Sequence, residues 1–225
     1  MRKILKKVSV SILSIVITYA IAVSAGTAAL ALDPSETIAW NKKLINGTST
    51  YYWIDSGCDY TLSIPNAVNG FINPSGFWNP LSLYQTTVKS SSLIDFYQVN
   101  SNTSFWANTF AVTYTYRKNS NGNYYSMPNY ELNIYDWVYC DIIINDFYMC
   151  TSFYDNNLAS LSSSITGGSV NAFRRKIIMH EMGHVYGCKD LYNSGNTDSL
   201  MYAYGNLGTG INMTSDVDAV LDAKY

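Results

Sequence analysis

The chain has 225 residues, a formal net charge of −2, 13% charged residues, two histidines and four cysteines. That balance gives no electrostatic reason for affinity to nucleic acid or anionic lipid. The length suffices for one domain with a well-buried core and does not call for a second.

Arg2, Lys3, Lys6 and Lys7 form a basic start, and an uncharged run from Val8 to Leu32 follows. Ala29-Leu30-Ala31 fits the small-x-small pattern of signal-peptidase cleavage, with Val23-Ser24-Ala25 as a second match. An uncleaved anchor is the alternative, because about twenty apolar residues span a bilayer. Ser11, Ser14, Thr18 and Tyr19 dilute the run and favour export. The expectation is a signal peptide over residues 1–31 and a secreted mature chain over 32–225, without stable membrane association. Cys58, Cys140, Cys150 and Cys188 are then an even number in an oxidising compartment, so disulfides are expected, with three full pairings open. No CxxC pair is present, which argues against a cysteine-only zinc site.

In chain order, residues 32 to 48 are polar and irregular. "TYYWID" (Thr50 to Asp55) is rich in β-formers and predicts a strand. Ile64, Ala67, Val68, Phe71 and Ile72 fall at helical spacing, with Pro65 in the first turn and Pro74 past the end. Strands are expected at Leu81–Thr87, Leu93–Val99 and Phe110–Arg117, with a turn at Asn121-Gly122. "WVYCDIIIND" (Trp137 to Asp146) is the strongest strand candidate of the second half. Residues 155 to 169 are polar and Ser-rich. From Val170 the period becomes helical, with Phe173, Ile177, His180 and His184 on one face and Gly187 as the stop. Val217, Val220 and Leu221 predict a short closing helix. This order of elements predicts a single α+β domain.

Both histidines lie in "MHEMGHVYGCKDL" (Met179 to Leu191). On a helix, residues i and i+4 stand one above the other, so His180 and His184 can aim both imidazoles at one zinc ion. Glu181 is placed to take a proton from a water that such an ion acidifies toward a pKa of ~7. This is the logic of the HExxH zinc peptidases. A chance pair of histidines on a buried helix is the plain alternative. Against it stand the export signal, the helical context, and Gly187 and Asp190 downstream. A third protein ligand cannot be histidine, and no glutamate follows Glu181. Asp190, Asp198 and Cys188 remain, with Cys188 more naturally directed into the core.

"HEMGHVYGCKD" resembles the extended metzincin motif HExxHxxGxxH/D, with His180, Glu181, His184, Gly187 and Asp190 at the matching positions. Most metzincins carry a third histidine at the last position, and a minority, the snapalysins among them, carry aspartate. "SLMYAYG" (Ser199 to Gly205) resembles the Met-turn of the matrixin branch, which implies Met201 as a hydrophobic floor beneath the metal. "CDIIIND" resembles the matrixin edge strand above the cleft, which implies that Asp141, Ile142, Ile143, Ile144 and Asn145 hold an extended substrate. Tyr202 or Tyr204 would support the oxyanion, although tyrosine packing explains both equally well. The resemblance spans most of residues 50 to 225, but its diagnostic part is 180 to 201. It implies a metzincin-like fold with an active-site helix and a C-terminal helix, one catalytic zinc, and a monomer acting on polypeptide. Matrixins usually carry a prodomain with a switch cysteine, for which this chain leaves no room.

Within that frame Cys140 and Cys150 flank a short segment leaving the strand and make one expected bridge, leaving Cys58 with Cys188. "GNTDSLMYAYG" (Gly195 to Gly205) also echoes, with an insertion, the GTxDxxYG stretch of aspzincins, which would make Asp198 the third ligand. Asp155-Asn156-Asn157 offers oxygens of the kind calcium takes, against which a solvated loop is the plainer reading. A non-enzymatic secreted module, binding polysaccharide or protein through its twenty tyrosines, is the rival of a different class. It has no use for Glu181.

Overall fold

Three strands and a helix open the fold: β1 (Ser49–Ile54), α1 (Ser63–Ile72), β2 (Ser82–Gln85) and β3 (Ile94–Val99). Then come β4 (Ala111–Lys118), β5 (Tyr124–Ser126) and β6 (Tyr139–Asn145). Helices α2 (Asp146–Met149), α3 (Thr151–Asn157), α4 (Ser163–Thr166), α5 (Val170–Val185) and α6 (Ser215–Lys224) complete the chain. The structure is a computed structural model and describes residues 36–204 and 208–225, so the expected signal peptide over 1–31 lies outside the described residues. No described helix is long and apolar enough to cross a membrane.

The strands form one six-stranded sheet in the order β2-β1-β3-β6-β4-β5. β2, β1, β3 and β6 run parallel, with α1 as the crossover that a parallel β1–β2 pair requires. β4 is antiparallel to β6, and β5 is antiparallel to β4. The chain is thus an α+β domain on a mixed sheet.

Strand alternation sorts the side chains. Ile94, Phe96, Cys140, Ile142 and Ile144 are buried in the core together with Ile64, Val68 and Phe71 of α1 and Phe173, Ile178 and Met182 of α5. The registers Trp53↔Asp95↔Asp141↔Tyr114 and Tyr139↔Tyr116 put those residues on the opposite face. There aromatic rings pair off, Trp53 with Tyr97 and Tyr116 with Tyr139. Much of the tyrosine content is therefore sheet-face packing.

α5 is the element that places the chemistry. Its start is fixed by Ser169, whose Oγ accepts from the Ala172 N–H at 3.2 Å. Its end is fixed by Gly187 at φ +94°, a left-handed conformation that glycine adopts without a Cβ penalty. Near that end the buried Trp137 indole N–H donates to the Val185 carbonyl at 3.0 Å and satisfies a group the helix leaves open.

Three expectations are corrected. First, Asp141 to Asn145 do not form an edge. β6 is bordered by β3 on one side and β4 on the other, so Asp141, Ile142, Ile143, Ile144 and Asn145 have no open backbone edge for a substrate. The strongly apolar run that suggested a cleft strand is apolar because it is central. Second, Asp155-Asn156-Asn157, for which a solvated loop was the plainer reading, are the exposed last turn of α3. Third, neither expected cysteine pairing is formed. Cys140 lies near the start of β6 and Cys150 beyond its far end, separated by a strand that alone spans about 20 Å, whereas a disulfide needs Cα atoms within about 7 Å. Cys188 bridges to Ala39 beyond the C-terminal end of α5, while Cys58 follows β1 and lies near Asp146.

Candidate metal centre

His180 and His184 stand one helical turn apart on α5, their ring centroids 4.8 Å apart and their planes at 89°. Each ring is held by a backbone carbonyl: His180 Nδ1 lies 2.8 Å from the Leu200 oxygen and His184 Nδ1 lies 3.0 Å from the Cys188 oxygen. A carbonyl only accepts, so Nδ1 carries the proton in both rings, and in the neutral imidazole Nε2 is left with its lone pair. Such a partner on the far nitrogen is what orients metal-ligating histidines.

The two Nε2 atoms converge on Asp190. Its Oδ1 lies 3.1 Å from His180 Nε2 and 3.4 Å from His184 Nε2. Ligand atoms bound about 2.0–2.1 Å from one tetrahedral zinc ion stand ~3.3 Å apart, and both distances from Asp190 Oδ1 to the imidazoles fit that spacing. Glu181 closes the group, its carboxylate and the two imidazoles lying within 4.8 Å of one another. Burial alone would lower the pKa of His184, but the charges of Asp190 and Glu181 and the Cys188 carbonyl carry it up to about 9. Burial likewise opposes ionisation of Asp190, yet the two imidazoles hold its carboxyl well below the usual carboxylate range. The set is an anionic carboxylate facing two imidazoles, a donor chemistry that suits zinc.

Asp190 reaches the histidines because Gly187 turns the chain back immediately after the helix. Its neighbours on both sides are pinned: Lys189 N–H donates to the Ile38 carbonyl, and Leu191 N–H donates to the Met201 carbonyl at 2.9 Å. Asp198 lies in the turn before Met201 and does not line the cavity that the triad borders. Cys188 is fully buried, and burial pushes its thiol pKa up, so it is a core residue. Tyr202 is 6% exposed and lines the cavity; Tyr204 packs on Tyr192 and Tyr202 at the surface.

Met201 lies fully buried under α5, against Gly183. A Cβ built on Gly183 would come within 2.3 Å of Met201 Sδ. The glycine inside "HEMGH" is therefore what lets the methionine pack directly against α5 between the two histidine positions. Gly183→Ala is expected to cost about 1–3 kcal/mol by overpacking, because the fully buried Met201 side chain must repack to make room. A denaturant melt checks this; an unchanged midpoint would mean that Met201 moves aside freely.

Three polar residues at the site were not singled out by sequence reasoning. Thr113 of β4 faces α5, and its hydroxyl lies 2.7 Å from Glu181 Oε2 and 3.0 Å from the Glu181 backbone oxygen. Strand alternation in "AVTYTYR" marks Thr113 and Thr115 as polar residues on an otherwise inward face, which is the signal that could have found it. Lys176, one turn before His180, is 2% exposed and donates to the Gly208 carbonyl at 2.6 Å and the Ile165 carbonyl at 3.2 Å. Burial lowers its pKa to about 8. Tyr192, next but one to Asp190, has its hydroxyl 3.4 Å from Asp190 Oδ2.

The four residues open into a cavity of about 630 Å³ whose opposite wall is β4. Among the described residues no strand pairs with β4 on that side before Tyr116, because β5 covers only Tyr116 to Lys118. Met127 N–H donates to the Thr115 carbonyl at 2.8 Å, so the open stretch of this edge beside the triad runs from Ala111 to Tyr114 and takes the role the sequence had assigned to β6.

The fold and site define an α+β domain with a His-Glu-His-Asp cluster at the mouth of a cavity. No known family model matches the chain, and no curated protein matches it. Among solved structures it is similar to a chain of the GM1-bound form of the ECX AB5 holotoxin, at 14% identity and a TM-score of 0.41, over 80% of each chain. That likeness is too distant to carry an argument about function.

Proposed function

We propose that this chain is a zinc-dependent endopeptidase of the metzincin type, with His180, His184 and Asp190 as the metal ligands and Glu181 as general base. The observation that carries the reading is the convergence of two carbonyl-oriented imidazoles and one carboxylate oxygen at mutual distances of 3.1 and 3.4 Å. Bound zinc would supply Lewis acidity, polarising a scissile carbonyl and making water acidic. The rest falls to the chain's own groups. Thr113 engages Glu181 Oε2, which leaves Oε1 to accept the proton of the attacking water and later return it to the departing amine. The open edge of β4 from Ala111 to Tyr114 pairs with an extended polypeptide, giving backbone hydrogen bonds that are indifferent to side-chain identity. The cavity wall that includes Tyr202 receives a side chain of the substrate. Export through residues 1–31 belongs to the same proposal, since a peptidase of this kind acts outside the cell that makes it.

The test is cleavage of an unfolded protein substrate by the purified chain, with and without a zinc chelator. The expected result is cleavage that the chelator abolishes and added zinc restores. Cleavage that survives complete removal of metal would contradict the proposal.

A further inference from the structure

The segment before β1 is built into the triad's loop. Residues 38 to 40 lie antiparallel to residues 187 to 189: Ala39 bridges Cys188, Trp40 N–H donates to the Gly187 carbonyl at 2.8 Å, and Lys189 N–H donates to Ile38. On its other side the same loop pairs through Leu191 with Tyr202, so Asp190 is suspended between two backbone pairings. Neither pairing reaches residues 192 and 193. Those are gripped by one side chain, the carboxylate of Glu36. Its Oε1 accepts from the Tyr192 N–H at 2.8 Å, and its Oε2 accepts from the Asn193 N–H at 2.9 Å and from Asn196 Nδ2 at 2.7 Å.

We infer that residues 36 to 40 are a strap that positions the third metal ligand, with Glu36 as its clasp. The inference rests on the zinc reading above. Hydrogen bonds to an ionised acceptor are roughly twice as strong as neutral ones, and three of them converge on a chain turn that begins two residues after Asp190. The strap holds the turn where Asp190 Oδ1 meets both Nε2 atoms. Without the clasp, the loop between Leu191 and Asn196 keeps its sequence but loses the acceptor that gathers its donors, and Asp190 loses support on its C-terminal side. Glu36 touches neither triad nor substrate, so it is a positioning residue. The metal affinity of the site thereby depends on a segment about 150 positions away in sequence, and a cut on the C-terminal side of Glu36 would weaken metal loading.

The test compares wild type, Glu36→Ala, Glu36→Gln and Thr37→Ala. Thr37 belongs to the same strap, but among the described residues its hydroxyl accepts from the Lys189 ammonium, at 3.3 Å, and makes no contact with the turn. Zinc affinity is measured by chelator competition, the visible spectrum of the cobalt-loaded form is recorded, and amide exchange is followed at Tyr192 and Asn193 in the metal-free chain. Loss of an outer partner costs about 10–100-fold in metal affinity, so Glu36→Ala is expected to weaken zinc by that factor and to alter the cobalt spectrum. Glu36→Gln keeps one carbonyl acceptor and is expected to fall between, and Thr37→Ala to match wild type. Unaltered zinc affinity and cobalt spectrum in Glu36→Ala would overturn the inference. Wild type that binds no zinc would instead sink the metal reading, and exchange would then decide the strap. Faster exchange at residues 192 and 193 in Glu36→Ala upholds the clasp, and unchanged exchange rejects it.

Discussion

Glu181→Gln is expected to leave metal binding and fold intact while lowering peptide turnover by about 10²–10⁴-fold, the usual contribution of a general base. The substitution is nearly isosteric, and Glu181 is only 5% exposed, so packing around it is preserved. The amide keeps an oxygen to accept from Thr113, which holds the side chain in the pose it has in the wild type. What it loses is the capacity to accept a proton. Steady-state kinetics should therefore place the loss in kcat, with KM little changed, because no binding contact has been removed. Near-wild-type turnover in a zinc-loaded Glu181→Gln protein would rule out the assigned base.

The second large effect separates the two aspartates. Asp190→Ala removes the one carboxylate oxygen within 3.4 Å of both imidazoles and is expected to lower zinc affinity by more than the roughly 100-fold typical of an outer partner. Asp198→Ala is expected to bind zinc as wild type does, since Asp198 lies outside the cavity wall. Both variants are titrated with zinc after their folds have been compared by circular dichroism. If Asp198→Ala loses the metal and Asp190→Ala keeps it, the aspzincin assignment replaces the metzincin one.

The helix and the ligands proposed on it were readable because they are local. A four-residue spacing on one helix and a glycine three residues on are sequence facts with direct geometric meaning, and Val170–Val185 with Gly187 at φ +94° is their outcome. β1, α1, β3 and β4 were likewise legible, since each carries its own period. What failed was every inference that needed strand order. "CDIIIND" reads equally well as an edge or a centre, because a strand's composition reports its burial and not its neighbours. Placing it centrally moved the open edge to β4 and brought Thr113 onto Glu181, a contact across 68 positions of sequence. The cysteine pairing failed for the same reason: closeness of Cys140 and Cys150 in sequence is cancelled by the strand between them. Glu36 lies in a stretch read as polar and irregular, with no local pattern to single it out. Its role is set by a loop about 156 positions away that no local pattern encodes.

The central claim is that two imidazoles and a carboxylate of this chain hold one zinc ion. It is tested most directly by equilibrium dialysis against zinc followed by metal analysis, on the wild type and on a His180→Ala/His184→Ala variant shown to be folded. The account predicts one zinc per wild-type chain and none retained by the double variant. Zinc absent from the wild type, or retained undiminished when both histidines are gone, would contradict it.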